Sequence, residues 1–259
     1  AVNEERLDED GQALKAALLF RIGEVDGAVE LLDVLTSVRI DSWASAQLTN
    51  VRGNIALAEQ DYESALEHFR RAEVKWRYLD KNRQVGELVN IGVVYDWIGA
   101  QNFDQAVTAF ERALIVAEEV GANRIEKLRA LYNWVVCLAE HGLMEKALER
   151  EREAERLIEV MQAKKEYVPN IFRLHHLISL GITFLEKGEL EPARELLRRA
   201  SHVAAASGNL ALQGMALFHL GELNEDVTEV EYGLELLEHS GSEKDLAEYR
   251  ERFERLSKA

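Results

Sequence analysis

Residues Leu174 to Ala200 read LHHLISLGITFLEKGELEPARELLRRA, and this stretch decides the fold. Leu177, Leu180, Gly181 and Phe184 fall at helical spacing, Gly188 breaks the pattern, and Ala193, Leu197 and Ala200 resume it. Apolar side chains at i, i+3, i+4 and i+7 make one buried stripe along a helix. A stripe that stops at a glycine and starts again predicts two antiparallel helices joined by a tight turn. Gly181 and Ala193 lack bulk, so the two axes can approach closely where they cross.

The unit recurs six times along the chain, the last time imperfectly. The second-helix alanine returns as Ala28, Ala65, Ala106, Ala147 and Ala193, and its partner as Leu35, Ala72, Ala113, Ala154 and Ala200. The turn glycine returns as Gly23, Gly99, Gly142, Gly188 and Gly221, with Gln60 in the second unit. An apolar residue follows each turn: Val25, Tyr62, Phe103, Met144, Leu190 and Leu223. Leu-x2-Leu-Gly-x2-Phe followed by Ala-x3-Leu-x2-Ala resembles the tetratricopeptide repeat, with Leu and Phe in its Trp and Tyr places. Second helices that run on to a glycine and a polar turn, as in FERALIVAEEVGANRIEKLRAL with Gly121 as C-cap, are similar to those of kinesin light chains. They are also similar to those of peptide-sensing and transcription-activating regulators of bacteria.

The resemblance implies an all-α protein, a right-handed α-solenoid superhelix of about six helix-turn-helix repeats with a C-terminal capping helix. Repeats are expected at about 9–45, 46–84, 85–127, 128–173, 174–206 and 207–240, in one solenoid over 1–259 capped by 242–259. Three places fit loosely. Gln12 and Lys15 stand at usually apolar positions in the first unit, as expected of a terminal cap with one polar face. Thr49 and Arg52 do so in the second, where Leu48, Val51 and Ile55 sit one residue earlier and leave the frame open by one. In the sixth, Asp226 stands at the alanine place.

Composition narrows the function. Only Pro169 and Pro192 interrupt the chain and no β-branched run alternates at period two, which agrees with an all-helical reading. Net charge is −16, from 31 basic and 47 acidic residues, which argues against nucleic-acid binding through this segment. The surplus reads as solvated outer faces or, more sharply, as a surface suited to a basic partner. Cys137 is the only cysteine, which removes an intrachain disulfide and CxxC metal pairs; read as a small buried hydrophobe, it fits a cytoplasmic setting. No apolar run reaches the ~18 residues of a membrane span. The acidic opening AVNEERLDEDGQ is unlike a signal peptide and enters a repeat at once, as a segment of a longer protein would.

In the solenoid that the resemblance implies, first helices line a concave wall, and their residues not used in packing meet the ligand. Those places hold Asn50, Asn54, Asn90, Asp96, Trp97, Arg129, Tyr132, Asn133, His175 and Ser179. An amide donates and accepts at once, so a ladder of asparagines suits the main chain of an extended peptide. The same amides would serve equally as ties between helices. In chaperone-docking relatives an Asn pair and basic residues hold a terminal carboxylate; Asn54, Asn90 and Arg129 match, but Asn50 and Asn133 stand where that motif has cations. No metal, cofactor or catalytic residue is expected. His175 and His176 diverge by ~100° on a helix, no HExxH, P-loop or GxSxG occurs, and the acid-rich runs EREAERL and ELEPARE read as solvated salt-bridge faces. The leading expectation is a non-enzymatic module that binds a peptide or extended protein segment. The runner-up is a sensor or oligomerisation domain of a larger bacterial transcription regulator, with homo-oligomers left open. A regulator phosphatase has the least support.

Overall fold

The computed structural model describes residues 8–35, 42–119 and 124–256, and among them every regular element is helical. Paired helices follow one another: α1 (Glu9–Arg21) with α2 (Val25–Val34), α3 (Trp43–Ala58) with α4 (Tyr62–Leu79), and α5 (Lys81–Ile98) with α6 (Phe103–Glu119). Then come α7 (Arg124–Glu140) with α8 (Met144–Ala163), α9 (Asn170–Glu186) with α10 (Leu190–Ser207), and α11 (Leu210–Asn224) with α12 (Val227–Ser240). A last helix, α13 (Glu243–Leu256), follows. Val25, Tyr62, Phe103, Met144 and Leu190 each open a second helix, as the spacing predicts. Gly23, Gly142 and Gly188 turn the chain at φ of +86°, +75° and +80°, and Gln60 adopts the same left-handed geometry at +63° despite its Cβ. A short 3-10 turn (Ala100–Asn102) takes up the extra residues before Phe103. Gly121, expected as a C-cap, lies outside the described residues.

Contacts divide the chain into two compact units, residues 1–134 and 135–259. In the first, Ala13, Ala16, Ala28 and Leu32 pack with Leu48, Val51 and Ile55, and Phe69 packs with Ala65, Ile91, Val94 and Ala109. Gly53 settles the frame of the second repeat. A Cβ there would lie 2.6 Å from the Phe69 ring, as one at Gly92 would from Phe110, so Gly53 and Gly92 are equivalent and Arg52 does stand at an apolar place. Trp43 and Trp76 meet edge to face at 5.7 Å. The Arg83 guanidinium lies 4.7 Å and 5.1 Å from these two rings and donates to Gln47 at 2.8 Å. The outer face of α1 differs from the polar cap expected: Lys15 is exposed, but so are Leu14, Leu18 and Ile22, four residues apart along one stripe. The small buried residues Ala13 and Ala16 form the inward side of this helix, which leaves its larger side chains outside.

In the second unit the sixth turn departs from expectation. Helix α11 runs past Gly221 and turns at Glu225, which is left-handed at φ +54°. Asp226 caps α12, accepting from the N–H groups of Thr228 and Glu229, and Val227 opens that helix. Gly221 is used for close packing instead of turning, since a Cβ on it would lie 2.6 Å from the Val230 nitrogen. Helix α13 does more than solvate an end. Its Tyr249 packs at 4.9 Å on Phe218, its hydroxyl meets His219 Nε2 at 3.1 Å, and Arg252 donates to Glu222 at 2.6 Å. Pro169 sits just before α9, its carbonyl accepting from Phe172. Cys137 is buried. None of the described helices is long and apolar enough to cross a membrane.

Candidate functional site

Three successive first helices of the first unit, α3, α5 and the opening of α7, carry two hydrogen-bonded groups of polar side chains. Asn54 Nδ2 donates to the Asn50 side-chain and main-chain oxygens, both at 3.0 Å. Asn50 Nδ2 donates in turn to Glu87 Oε1 at 2.8 Å. Across the next pair, Arg129 donates to Asn90 Oδ1, to the Gly86 carbonyl at 3.4 Å and to Glu126 at 3.2 Å. Asn133 Nδ2 donates to the Arg129 carbonyl at 2.8 Å. Gly86 makes room for this: a Cβ there would stand 3.3 Å from Arg129 Nη1. Asn50, Asn54, Asn90, Arg129 and Asn133, expected together from the sequence, therefore fall in two hydrogen-bonded groups, Asn54–Asn50–Glu87 and Asn90–Arg129–Asn133. Among the described residues, Oδ1 of Asn54 and Oδ1 of Asn133 accept no hydrogen bond, which leaves two acceptors for donors from outside.

Glu87 closes the first of these groups and was not singled out by the sequence. It is 3% exposed, and among the described residues its Oε2 accepts no hydrogen bond. Burial pushes its carboxyl up to about 7, against the opposing pull of Asn50, Arg129, Trp76 and Asn90. It therefore exchanges its proton near neutral pH. The available signal was weak. Glu87 lies three residues before Asn90, on the same face of α5, which places an acid beside the amides.

The other expected residues are placed differently. Asp96 and Trp97 lie in the last turn of α5, where Trp97 is 56% exposed and Asp96 half-buried. Tyr132 is buried, at 6% exposure. His175 and Ser179 belong to the second unit, exposed on α9. The ~100° divergence expected of adjacent helical residues is seen there, with His175 outside and His176 buried.

His176 exposes a correction. The run EREAERL is not uniformly a solvated face, because Glu151 is 2% exposed and receives His176 Nε2 at 2.8 Å and Arg199 Nη2 at 2.9 Å. Arg199 also meets Glu155 at 2.8 Å, and Arg173 reaches Glu155 at 2.6 Å. Burial pushes the Glu151 carboxyl up, but the partnership of His176 and Arg199 outweighs it and holds the group below its ordinary range. Glu151 stands where other repeats carry the buried Leu32, Phe69, Phe110 and Leu197, and so it points inward, toward α9 and α10. Four of the five members carry charge pairs that join α8, α9 and α10, and the cluster reads as a structural tie.

No protein-family model matches the chain. In sequence it is similar to transcription activator GutR of Bacillus subtilis, 26% identical over 149 residues, which are 58% of this chain. The chain spans 18% of the length of that relative. In structure it is similar to a Rap protein complexed with competence and sporulation factor, with a TM-score of 0.64 at 15% identity over 93% of this chain and 67% of that one. It is similar also to a putative kinesin light chain of Podosopora anserina with TPR-like repeats, with a TM-score of 0.56 at 16% identity over 78% of this chain and 99% of that one. At such identities the likeness concerns architecture, and in architecture this chain has the tetratricopeptide-repeat fold.

Proposed function

We propose that the face formed by α3, α5 and the opening of α7 binds a peptide or an extended protein segment through its amide run. The observation that carries this reading is the chain of contacts Asn54–Asn50–Glu87 and Arg129–Asn90 with Asn133 beside it, set on successive first helices. Half-buried amides with free acceptors are suited to main-chain N–H groups, which lose water on binding and need replacement partners. The solved Rap protein with competence and sporulation factor supports the reading, because it shows a related architecture holding a factor. The double variant Asn90→Ala/Asn133→Ala should bind a labelled random heptapeptide pool about tenfold more weakly. Its unfolding free energy should change by no more than about 1–2 kcal/mol. Unaltered affinity would count against the assignment.

A second reading is favoured by the likeness to GutR, which is called a transcription activator. The same face would then be the sensing part of a larger regulator. Reporter output from the full-length protein that ignored the double substitution would contradict it.

A further inference from the structure

The proposed face contains one buried acid whose only charged neighbour among the groups that surround it, Arg129, is shared with other partners. Four elements surround Glu87: Asn50 approaches from α3, Trp76 from α4, Asn90 from its own helix and Arg129 from α7. Arg129 is the single charged neighbour in that set, and it is already paired with Glu126 at 3.2 Å and bonded to Asn90. An ionised Glu87 therefore shares Arg129 with Glu126, and its Oε2 accepts no hydrogen bond among the described residues. A buried acceptor left unmade is costly to keep, more so when it can ionise.

We infer that Glu87 sets the specificity of this face and takes one cationic group of the bound segment, a lysine or arginine side chain. The inference rests on the peptide-binding reading of the face. Lysine and arginine reach a buried acid on a slender apolar stem, and the charge-assisted bond they form is stronger than one between neutral groups. A terminal carboxylate fits badly, because it would meet Glu87 and Glu126 while the one arginine is engaged. The net charge of −16 favours the same choice at longer range. An incoming cation also favours the ionised form of Glu87, so binding should release a proton when carried out near neutral pH.

The test uses the whole chain and labelled heptapeptide pools, random except for one position fixed as Lys, Arg, Ala or Glu. Fluorescence polarisation is read for the wild type, for Glu87→Gln and for Asn90→Ala/Asn133→Ala. Wild type should hold the Lys and Arg pools about tenfold more tightly than the Ala pool and the Glu pool most weakly. Glu87→Gln should lose the preference for cations, holding the Lys, Arg and Ala pools within about twofold of one another, and the proton released on binding should disappear. A preference for Lys and Arg that survives in Glu87→Gln, or wild-type binding indifferent to the fixed residue, overturns the inference and leaves the face itself standing. Failure of wild type to hold any pool overturns both.

Discussion

Replacing Glu87 by Gln should make the first unit more stable at pH 8 and leave it unchanged at pH 4. The magnitude follows from burial. Glu87 gives up its proton at about 7 in the folded chain against an ordinary value of 4.5. Because the folded state holds this proton more tightly, its contribution is fully present below the unfolded value. It is lost as pH rises toward 7, at about 1.4 kcal/mol per pH unit. The whole loss is on the order of 3 kcal/mol. Glutamine keeps an oxygen for the Asn50 amide and carries no charge to bury, so the variant escapes the loss. The assay is urea unfolding followed by tryptophan fluorescence. Trp43, Trp76, Trp97 and Trp134 all lie at or before residue 134, so the signal reports the first unit alone. Expected is a variant about 2–3 kcal/mol more stable than wild type at pH 8 and within about 0.5 kcal/mol of it at pH 4. Equal stabilities at pH 8, or a less stable variant there, would refute the reasoning.

Further outcomes follow from how the helices are joined. Glu151→Ala removes the carboxylate that His176 and Arg199 share, leaves Arg199 with Glu155, and should cost about 2–3 kcal/mol, read as lost amide-exchange protection in α9 and α10. The Glu151 carboxyl is held low in the folded state, so its contribution is present above the ordinary carboxylate value. Wild-type protection in these helices should therefore weaken as pH falls through the lower folded value. Gly214→Ala would set a Cβ 2.6 Å from the Gly233 carbonyl oxygen, backbone that cannot yield, and should cost about 3 kcal/mol or more. Gly53→Ala meets the Phe69 ring at the same distance but displaces a side chain, so its cost should be nearer 1–2 kcal/mol by fluorescence-monitored unfolding. Gln60→Gly relieves the left-handed strain at φ +63° and should stabilise the first unit by about 0.5–1 kcal/mol in the same measurement.

The hairpins were legible because turn and helix start are local events. A glycine at positive φ followed two residues later by an apolar side chain marks Val25, Met144 and Leu190 without reference to anything distant. The sixth turn was misplaced because glycine serves two purposes. Gly221 permits close approach to Val230, while the turn itself falls on Glu225, a residue with no such signature. The asparagines of the proposed site could be placed on successive first helices by counting along the repeat. Glu87 and Glu151 could not, because a glutamate on an amphipathic helix ordinarily faces water. Their burial depends on what other helices bring to them: Asn50 and Arg129 for the first, His176 and Arg199 for the second. Nor does the exposed stripe Leu14, Leu18 and Ile22 follow from repeat position, which called for a polar cap.

Amide hydrogen exchange of the whole chain, with and without the most tightly held peptide pool, tests the proposed recognition surface most directly. The amide run on successive first helices predicts new protection within 43–58, 81–98 and 124–133, and little change along α4 and α6. Protection confined to those second helices, or to the second unit, would contradict it.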